Sequence, residues 1–422
     1  MTYLSVKAII LFPRLYRHGL LFAFRGISTA SKFLLTLYAA RYLGLADLGV
    51  YGLVAAAAAI SPAVLGFGLT DWVVRHVVMA ERAEALRKIS ARLIVSATAH
   101  VVFQPMIWTA NFALGSPVPT AWLWFIAPIV LLEHLASDAH DLLIARGQIM
   151  LTSTLQFIRA ALWPLAVVAI GLLYPETRSL NSVFAGWLLG LALMWSVLVG
   201  WFLLQRAPVT PSWKELSALF ASARASFILY VRDIAGTISL FIDRYLISLT
   251  LGLELTGVYI FFWSAANVVH GMINSVILQP QAARLITAVG RADIVGFRVV
   301  QRKTLLEATA CTAVMSLAAF AAMVVLLPLL QRPALATHLS IFGIVLAATW
   351  PRIWADEFGF GLLALHRDHA ILLASVTGAL PSALLNVLLI PLLGLMGAAL
   401  AFMLTGLLLM VLRSRLSRQR AL

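Results

Sequence analysis

Leu43-Gly44-Leu45-Ala46-Asp47-Leu48-Gly49-Val50-Tyr51 returns, about half a chain later, as Leu251-Gly252-Leu253-Glu254-Leu255-Thr256-Gly257-Val258-Tyr259. The two stretches agree without a gap at two leucines, at both glycines and at the closing Val-Tyr. Self-similarity at a spacing near half the length points to two copies of one unit. Each stretch joins two apolar runs, and its glycines predict a tight turn between helices. The run entering the first turn carries Arg25, Ser28, Thr29, Lys32 and Thr36. Steps of three and four place these on one face of a helix. A cationic stripe inside an apolar helix is the feature any functional reading must explain.

The composition places that helix in a membrane. The chain is 62% hydrophobic, its mean hydropathy is +0.96, and only 11% of its residues are charged. Soluble domains carry roughly 25% charged residues. Apolar runs long enough to cross a bilayer core of about 30 Å recur from end to end. The reading is an all-α integral membrane protein with no soluble domain and no cofactor. A net charge of +14 would suggest nucleic acid in a soluble protein. Here the basic residues sit mostly in short loops and act as topology signals, so nucleic acid is not expected as a partner. Cys311 is the only cysteine, which excludes intrachain disulfides and thiolate metal sites. The basic start of the chain is followed by a helix too long for a cleavable signal, and Tyr3 to Tyr16 reads as a segment lying at the inner surface.

About twelve spans are predicted, near residues 18–43, 48–71, 90–114, 119–142, 154–174, 180–204, 226–250, 256–280, 304–330, 337–363, 370–392 and 394–412. Alternate loops divide by charge. One side holds nearly all the loop arginines and lysines, and the other holds little beyond Arg41, Arg178 and Arg332. The positive-inside rule puts the rich side, and both termini, in the cytoplasm. The stretch 206–224, with Pro208 and Pro211, is the natural linker between two six-helix halves, 1–206 and 207–422. The longer cytoplasmic connections, Arg75–Arg92, Arg206–Arg224 and Arg284–Lys303, predict amphipathic helices at the interface. Pro62, Pro105, Pro128, Pro164, Pro351 and Pro381 fall inside spans, where each frees a carbonyl and permits a bend.

A charge at mid-membrane costs about 2.5–3.5 kcal/mol on insertion scales, so charges there face protein or water. Arg25 can snorkel to the headgroups. Lys32 lies roughly 21 Å from the inner boundary at 1.5 Å per residue; it needs either a water-filled cavity or a buried ion pair. Span 7 carries Arg232, Gly236, Ser239 and Asp243 on one stripe, flanked by Asp233 and Arg244. Adjacent residues point about 100° apart, so Arg232 and Asp233 are not expected to pair with each other. Span 8 carries Ser264, Asn267, His270 and Asn274, either a polar wall or bonds to neighbouring helices. Glu133 is the deepest acid of span 4. Arg159 opens span 5. In span 10, Arg352 and Asp356 are four apart and able to pair along the helix. Asp138, Asp141 and Arg367 read as loop anchors near the inner boundary. His134, His140 and Asp141 invite a metal by spacing, but they fall near a membrane boundary with no further ligand in sequence, and no metal is expected.

Taken together, Tyr38 to Arg75, Asp243-Arg244-Tyr245 through Tyr259, and Ile390-Pro391-Leu392-Leu393-Gly394-Leu395-Met396-Gly397-Ala398-Ala399-Leu400 resemble the polysaccharide-biosynthesis transporter family. This is the Wzx-type O-antigen flippase branch of the superfamily that also holds the MATE exporters. The resemblance implies two pseudo-symmetric six-helix lobes around a central cavity, and a substrate built as an oligosaccharide on undecaprenyl pyrophosphate. It also implies a location in the bacterial inner membrane and alternating access without catalysis. On this reading Arg25 and Lys32 bind the pyrophosphate, with Arg159, Arg232 and Arg352 as further cationic contacts. Asn267, His270 and Asn274 face the glycan. Proton or sodium exchange on Glu133, Asp243 or Asp356 supplies directionality. Membrane lipids and a polysaccharide polymerase or glycosyltransferases are the remaining expected partners. Two rivals are a MATE-like antiporter of organic cations, which needs acids and aromatics, and a polytopic polymerase or ligase, which needs a larger outer loop than any found here.

Overall fold

A computed structural model of the chain describes residues 26–113, 120–205 and 210–418. Arg25 and the Tyr3–Tyr16 segment lie outside them. The described residues form helices, with no strand among them. In chain order these are α1 (26–43), α2 (Leu45–Leu65), α3 (Leu69–Val77), α4 (Arg82–Ala113), α5 (Thr120–Ala145), α6 (Ile149–Leu173) and α7 (Leu180–Leu204). Then come α8 (Trp213–Leu251), α9 (Leu253–Gly290), α10 (Ile294–Leu330), α11 (Pro333–Thr337), α12 (Leu339–Ala364), α13 (Asp368–Leu393) and α14 (Leu395–Arg418). Among the described residues, nine helices are long and apolar enough to cross a membrane. The chain is a multi-pass membrane protein. The outward faces fit that setting: Leu189, Leu203, Leu317 and Leu392 are all more than two-thirds exposed, positions where lipid replaces water as the neighbour.

The expected interfacial helices are built differently. Residues 75–92 divide between the short α3 and the first turns of α4. α8 runs unbroken from Trp213 into its span, so Lys214 and Arg224 belong to the same 39-residue helix that carries Asp243. The Arg284 segment is likewise a continuation of α9. At these two places the helix continues from the span without a break; each continued backbone hydrogen bond removes an orphan terminus.

Three helices contain a π turn, at Ala39–Leu43, Ile158–Leu162 and Asn274–Leu278. Two of these lie just before a proline, Pro164 and Pro280. Proline lacks the N–H that an α-helix would use four residues back, and its ring crowds that carbonyl. A wider turn absorbs the misfit, and such turns concentrate at functional sites.

The helices gather into two compact units. The first contains residues 26–35 and 69–222, and the second contains 36–68 and 223–418. In the first, α5 packs against α3, α4, α6 and α7. In the second, α12 packs on α9, α10 and α14, and α13 on α14. Packing therefore groups α2 with the second half of the chain, across the sequence boundary at 206. The reason is the repeated stretch. Gly44 and Gly252 each take a left-handed conformation, φ 117° and 86°, ahead of α2 and α9. Equivalent amides then close onto them: Leu48 N donates to Gly44 O at 3.1 Å, and Thr256 N to Gly252 O at 3.2 Å. The second glycines bring the two copies together. A Cβ on Gly49 would fall on the carbonyl oxygen of Leu253, and one on Gly257 on that of Leu45. Small residues at such a crossing let backbones touch, the main source of helix association in lipid. Tyr230 and Tyr245 of α8 fasten the assembly, donating to Val64 O and Leu53 O, each at 3.1 Å. Arg332 closes the end of α1, donating from Nε to Ala40 O at 2.9 Å and from Nη2 to Arg41 O at 3.0 Å.

Candidate functional site

In the first unit the cationic face of α1 meets a buried acid. Lys32 itself is exposed. It lies in the electrostatic field of Glu133 and Arg159. Glu133 is held on both oxygens. Arg159 Nε donates to Oε2 at 2.6 Å, and Trp187 Nε1 donates to Oε1 at 2.7 Å. Arg159 also ion-pairs with Oε2 through Nη2. Trp163 stacks on Trp187 with ring centroids 5.4 Å apart and donates to Arg159 O at 2.8 Å. The structure thus brings Lys32, Glu133 and Arg159 together. Arg159 is committed to Glu133, and Lys32 is the most exposed of the three.

In the second unit a cavity of about 150 Å³ opens between α8, α12, α13 and α14. Arg352, Arg413, Asp356, Ser239 and Ser375 give it a polar wall, and Leu240, Phe402 and Leu409 an apolar one. The helical pairing allowed for Arg352 and Asp356 does not form. Asp356 Oδ2 meets His270 Nε2 at 2.9 Å, while Arg413 Nη1 lies 3.5 Å from Oδ1 and donates to Ala355 O at 3.0 Å. Arg352 turns to Asn267 Oδ1 at 3.4 Å and lies over the Phe402 ring. Neighbouring helices supply better partners than the next turn of α12, so the pair is interhelical.

Of the remaining candidates, Asp243 is buried and accepts from the Tyr259 hydroxyl at 2.5 Å and from Arg244 N at 2.8 Å. Arg244 stacks on Trp263, with the guanidinium carbon 3.9 Å from the ring centroid. Arg232 donates from Nε and Nη2 to Asp233 Oδ1, at 3.0 and 2.8 Å. The expectation that these neighbours do not pair is overturned: both are about one-third exposed, and the long arginine stem bends across the 100° between them. The predicted stripe on α8 is therefore divided, with Gly236 and Ser239 at the cavity and Arg232 and Asp243 engaged elsewhere. Asn274 begins its π turn with a buried Oδ1 that has no hydrogen-bond partner among the described residues. Arg367 is a loop anchor, as expected, donating to Leu416 O at 2.7 Å.

Asp138 is not a loop anchor. It is 2% exposed and sits at the centre of a polar ladder between α3, α4 and α5. Its Oδ1 accepts from Thr70 at 2.7 Å and its Oδ2 from Ser96 at 2.5 Å, and Arg92 Nη2 lies 3.2 Å from Oδ2. His134 Nε2 faces Oδ2 at 3.5 Å. The opposite nitrogen of that ring meets His100 Nε2 at 2.9 Å. Gln104 Nε2 then reaches His100 Nδ1 at 3.2 Å and Ala127 O at 2.7 Å. The sequence carries a signal for it: Arg92, Ser96, His100 and Gln104 recur at every fourth position. That is a stripe as regular as the one on α1, but it lies in a helix whose basic start reads as a loop.

Glu357 follows Asp356 on α12. It is fully buried on α12, and among the described residues neither of its oxygens has a hydrogen-bond partner. Gln301 Nε2, from α10, is buried beside Gly361 of α12 and likewise has no hydrogen-bond partner among the described residues.

No protein-family model and no curated protein matches the chain. Solved structures do. A multidrug resistance MATE family transporter of the MOP superfamily in an inward-facing conformation matches with a TM-score of 0.69 at 12% identity, over 93% of this chain and 94% of that one. A MOP superfamily transporter from Pyrococcus furiosus, described as having a binding pocket of reverse polarity that suggests a different function, matches with a TM-score of 0.63 at 12% identity, over 94% of each chain. An outward-facing MATE family transporter matches with a TM-score of 0.62 at 13% identity, again over 94% of each. The chain has the fold of these transporters along nearly its whole length.

Proposed function

We propose that the chain is a non-enzymatic flippase. Its substrate is an oligosaccharide carried on undecaprenyl pyrophosphate, moved across the bacterial inner membrane by alternating access, with both chain termini in the cytoplasm. The observation that carries this reading is the excess of positive charge at the second-unit cavity, where two arginines stand with one aspartate. Lys32 is exposed in the middle of an apolar helix, and Arg352 and Arg413 line the second-unit cavity. The acids Glu133, Asp243 and Asp356 already accept from Arg159 and Trp187, from Tyr259, and from His270 and Arg413. An anionic headgroup fits the arginine-bearing cavity of the second unit, because charge-assisted donors in a partly dry site recognise phosphate oxygens strongly. An organic cation, the substrate class of the rival reading, would need more acids than the one aspartate, Asp356, that this cavity holds. Asn267 and Asn274 offer amides for sugar hydroxyls on the same face of α9.

The test is export in a strain deleted for this chain. Wild type should restore surface glycan and clear lipid-linked glycan from the inner leaflet. Lys32→Ala should restore neither, while remaining in the membrane at normal level. Full export by Lys32→Ala, or efflux of a cationic dye by the wild type in place of glycan export, would overturn the proposal.

A further inference from the structure

We propose that His100, His134 and Asp138 form a proton relay whose occupancy drives the transport cycle; the cycle itself rests on the function proposed above. The geometry leaves one arrangement of protons along the ladder. Gln104 Nε2 faces Ala127 O at 2.7 Å, so the amide nitrogen, not the oxygen, occupies that place. An amide nitrogen only donates, so His100 Nδ1 accepts from it and the proton of His100 sits on Nε2. His134 Nδ1 then accepts from His100 at 2.9 Å, and the proton of His134 sits on Nε2, which lies 3.5 Å from Asp138 Oδ2 without a hydrogen bond, so the last transfer needs the ring to close on the carboxylate. The hydrogen bonds point one way, from Gln104 through His100 to His134, whose remaining N–H is the one nearest Asp138. His100 is 1% exposed and His134 0%.

The transfer balances step by step. When the Gln104 amide turns away, an incoming proton bonds to His100 Nδ1. The His100 Nε2–H bond breaks as a bond to His134 Nδ1 forms. The His134 Nε2–H bond breaks as a bond to Asp138 Oδ2 forms. Each nitrogen keeps its electron pair, one proton has entered, and one sits on the carboxyl group. Both rings are left in the swapped tautomer and reset by turning over. Asp138 then no longer balances Arg92, which is itself fully buried. Thr70 of α3, and Arg92 and Ser96 of α4, lose the carboxylate that clamps them to α5. Proton occupancy thus decides whether three helices of the first unit are held together, the bistable element that coupling needs.

The surroundings favour a proton over a metal cation. Hard cations take oxygen ligands, and both oxygens of Asp138 are already occupied by Thr70, Ser96 and Arg92. Imidazole is the side chain that exchanges protons near neutral pH. Ionisable neighbours are few. Arg92 faces the ladder from α4, and Asp71 of α3 and Asp141 of α5 lie beyond Asp138. Glu133 of α5 is turned to Arg159 of α6. α7 carries no ionisable residue.

The test uses the full-length chain in lipid nanodiscs with 15N-labelled histidine, and the probe is the proton alone. Between pH 8 and pH 4, the His100 and His134 signals should leave their tautomers together, in one shared step. Asp138→Asn removes the carboxylate charge with little change of shape and should shift that step by at least a factor of about ten in proton affinity. Two rings that titrate independently, or a shared step unmoved by Asp138→Asn, would overturn the relay. Export supplies the second arm. In cells dependent on the chain, His134→Gln should cut export about tenfold and leave the remainder insensitive to collapse of the pH gradient. Gradient-driven export by folded His134→Gln would overturn the coupling. A shared titration step in a protein that exports no glycan would uphold the relay and overturn only the substrate assignment.

Discussion

Gly49 and Gly257 occupy equivalent places in the two repeated turns, and each faces the backbone carbonyl at the start of the other's helix: Leu253 O for Gly49 and Leu45 O for Gly257. The contact is reciprocal, as expected where two copies of one unit meet about a local two-fold axis. It makes the repeat a packing device as well as a record of duplication.

Alanine at either glycine should therefore be damaging. Its Cβ would strike a main-chain oxygen, which cannot rotate aside. Gly49→Ala and Gly257→Ala should each cost about 3 kcal/mol, the upper end for overpacking, seen as a lowered unfolding midpoint in detergent. Gly271→Ala, with nothing within 4 Å of its Cβ position, should leave the midpoint unchanged or raise it.

Arg332 should be needed for its fork. It bonds two successive carbonyls at the end of α1, Ala40 O and Arg41 O. Arg332→Ala should cost about 1–3 kcal/mol by leaving them unsatisfied. Arg332→Lys should recover little of this, because an ammonium does not reproduce the paired geometry. Thermal unfolding of the two variants side by side measures the difference.

The Glu133–Arg159 pair should be costly to break from one side. Arg159→Ala removes the guanidinium that bonds Glu133 and leaves its carboxylate buried, a change worth about 3–5 kcal/mol for a buried pair. The double variant Glu133→Gln, Arg159→Gln should regain part of that loss. A double variant less stable than Arg159→Ala would show that the acid is not held by the pair.

Glu357 should be dispensable for folding and better replaced. Its oxygens are buried without hydrogen-bond partners among the described residues, a burden of about 1–3 kcal/mol. Glu357→Met, of similar length and volume, should raise the unfolding midpoint by several degrees. A fall would mean that the carboxyl group has a partner, such as a buried water.

Much of the candidate site could be read along the chain, but not its bonding. Steps of three and four marked the face of Lys32 on α1 and the face of Asn267, His270 and Asn274 on α9. The same spacing was present for Arg92, Ser96, His100 and Gln104, yet its complement, His134 and Asp138, lies in a different helix with a different phase. Asp233 and Arg232 show the opposite case: side-chain directions on an ideal helix forbade a contact that a flexible arginine makes at 2.8 Å.

Composition and run length were enough to establish a multi-pass helical membrane protein, because hydrophobic transfer and helix periodicity act locally along the chain, and the matched stretches at 43–51 and 251–259 pointed to its repeat. Tertiary structure alone decided that α2 packs with the second half, that Asp356 pairs with His270 and Arg413 and not with Arg352, and that Asp138 is a core residue. Each of these depends on which helices become neighbours. In a medium that cannot solvate a bare charge, every buried ionisable group takes its character from the partner that folding brings to it.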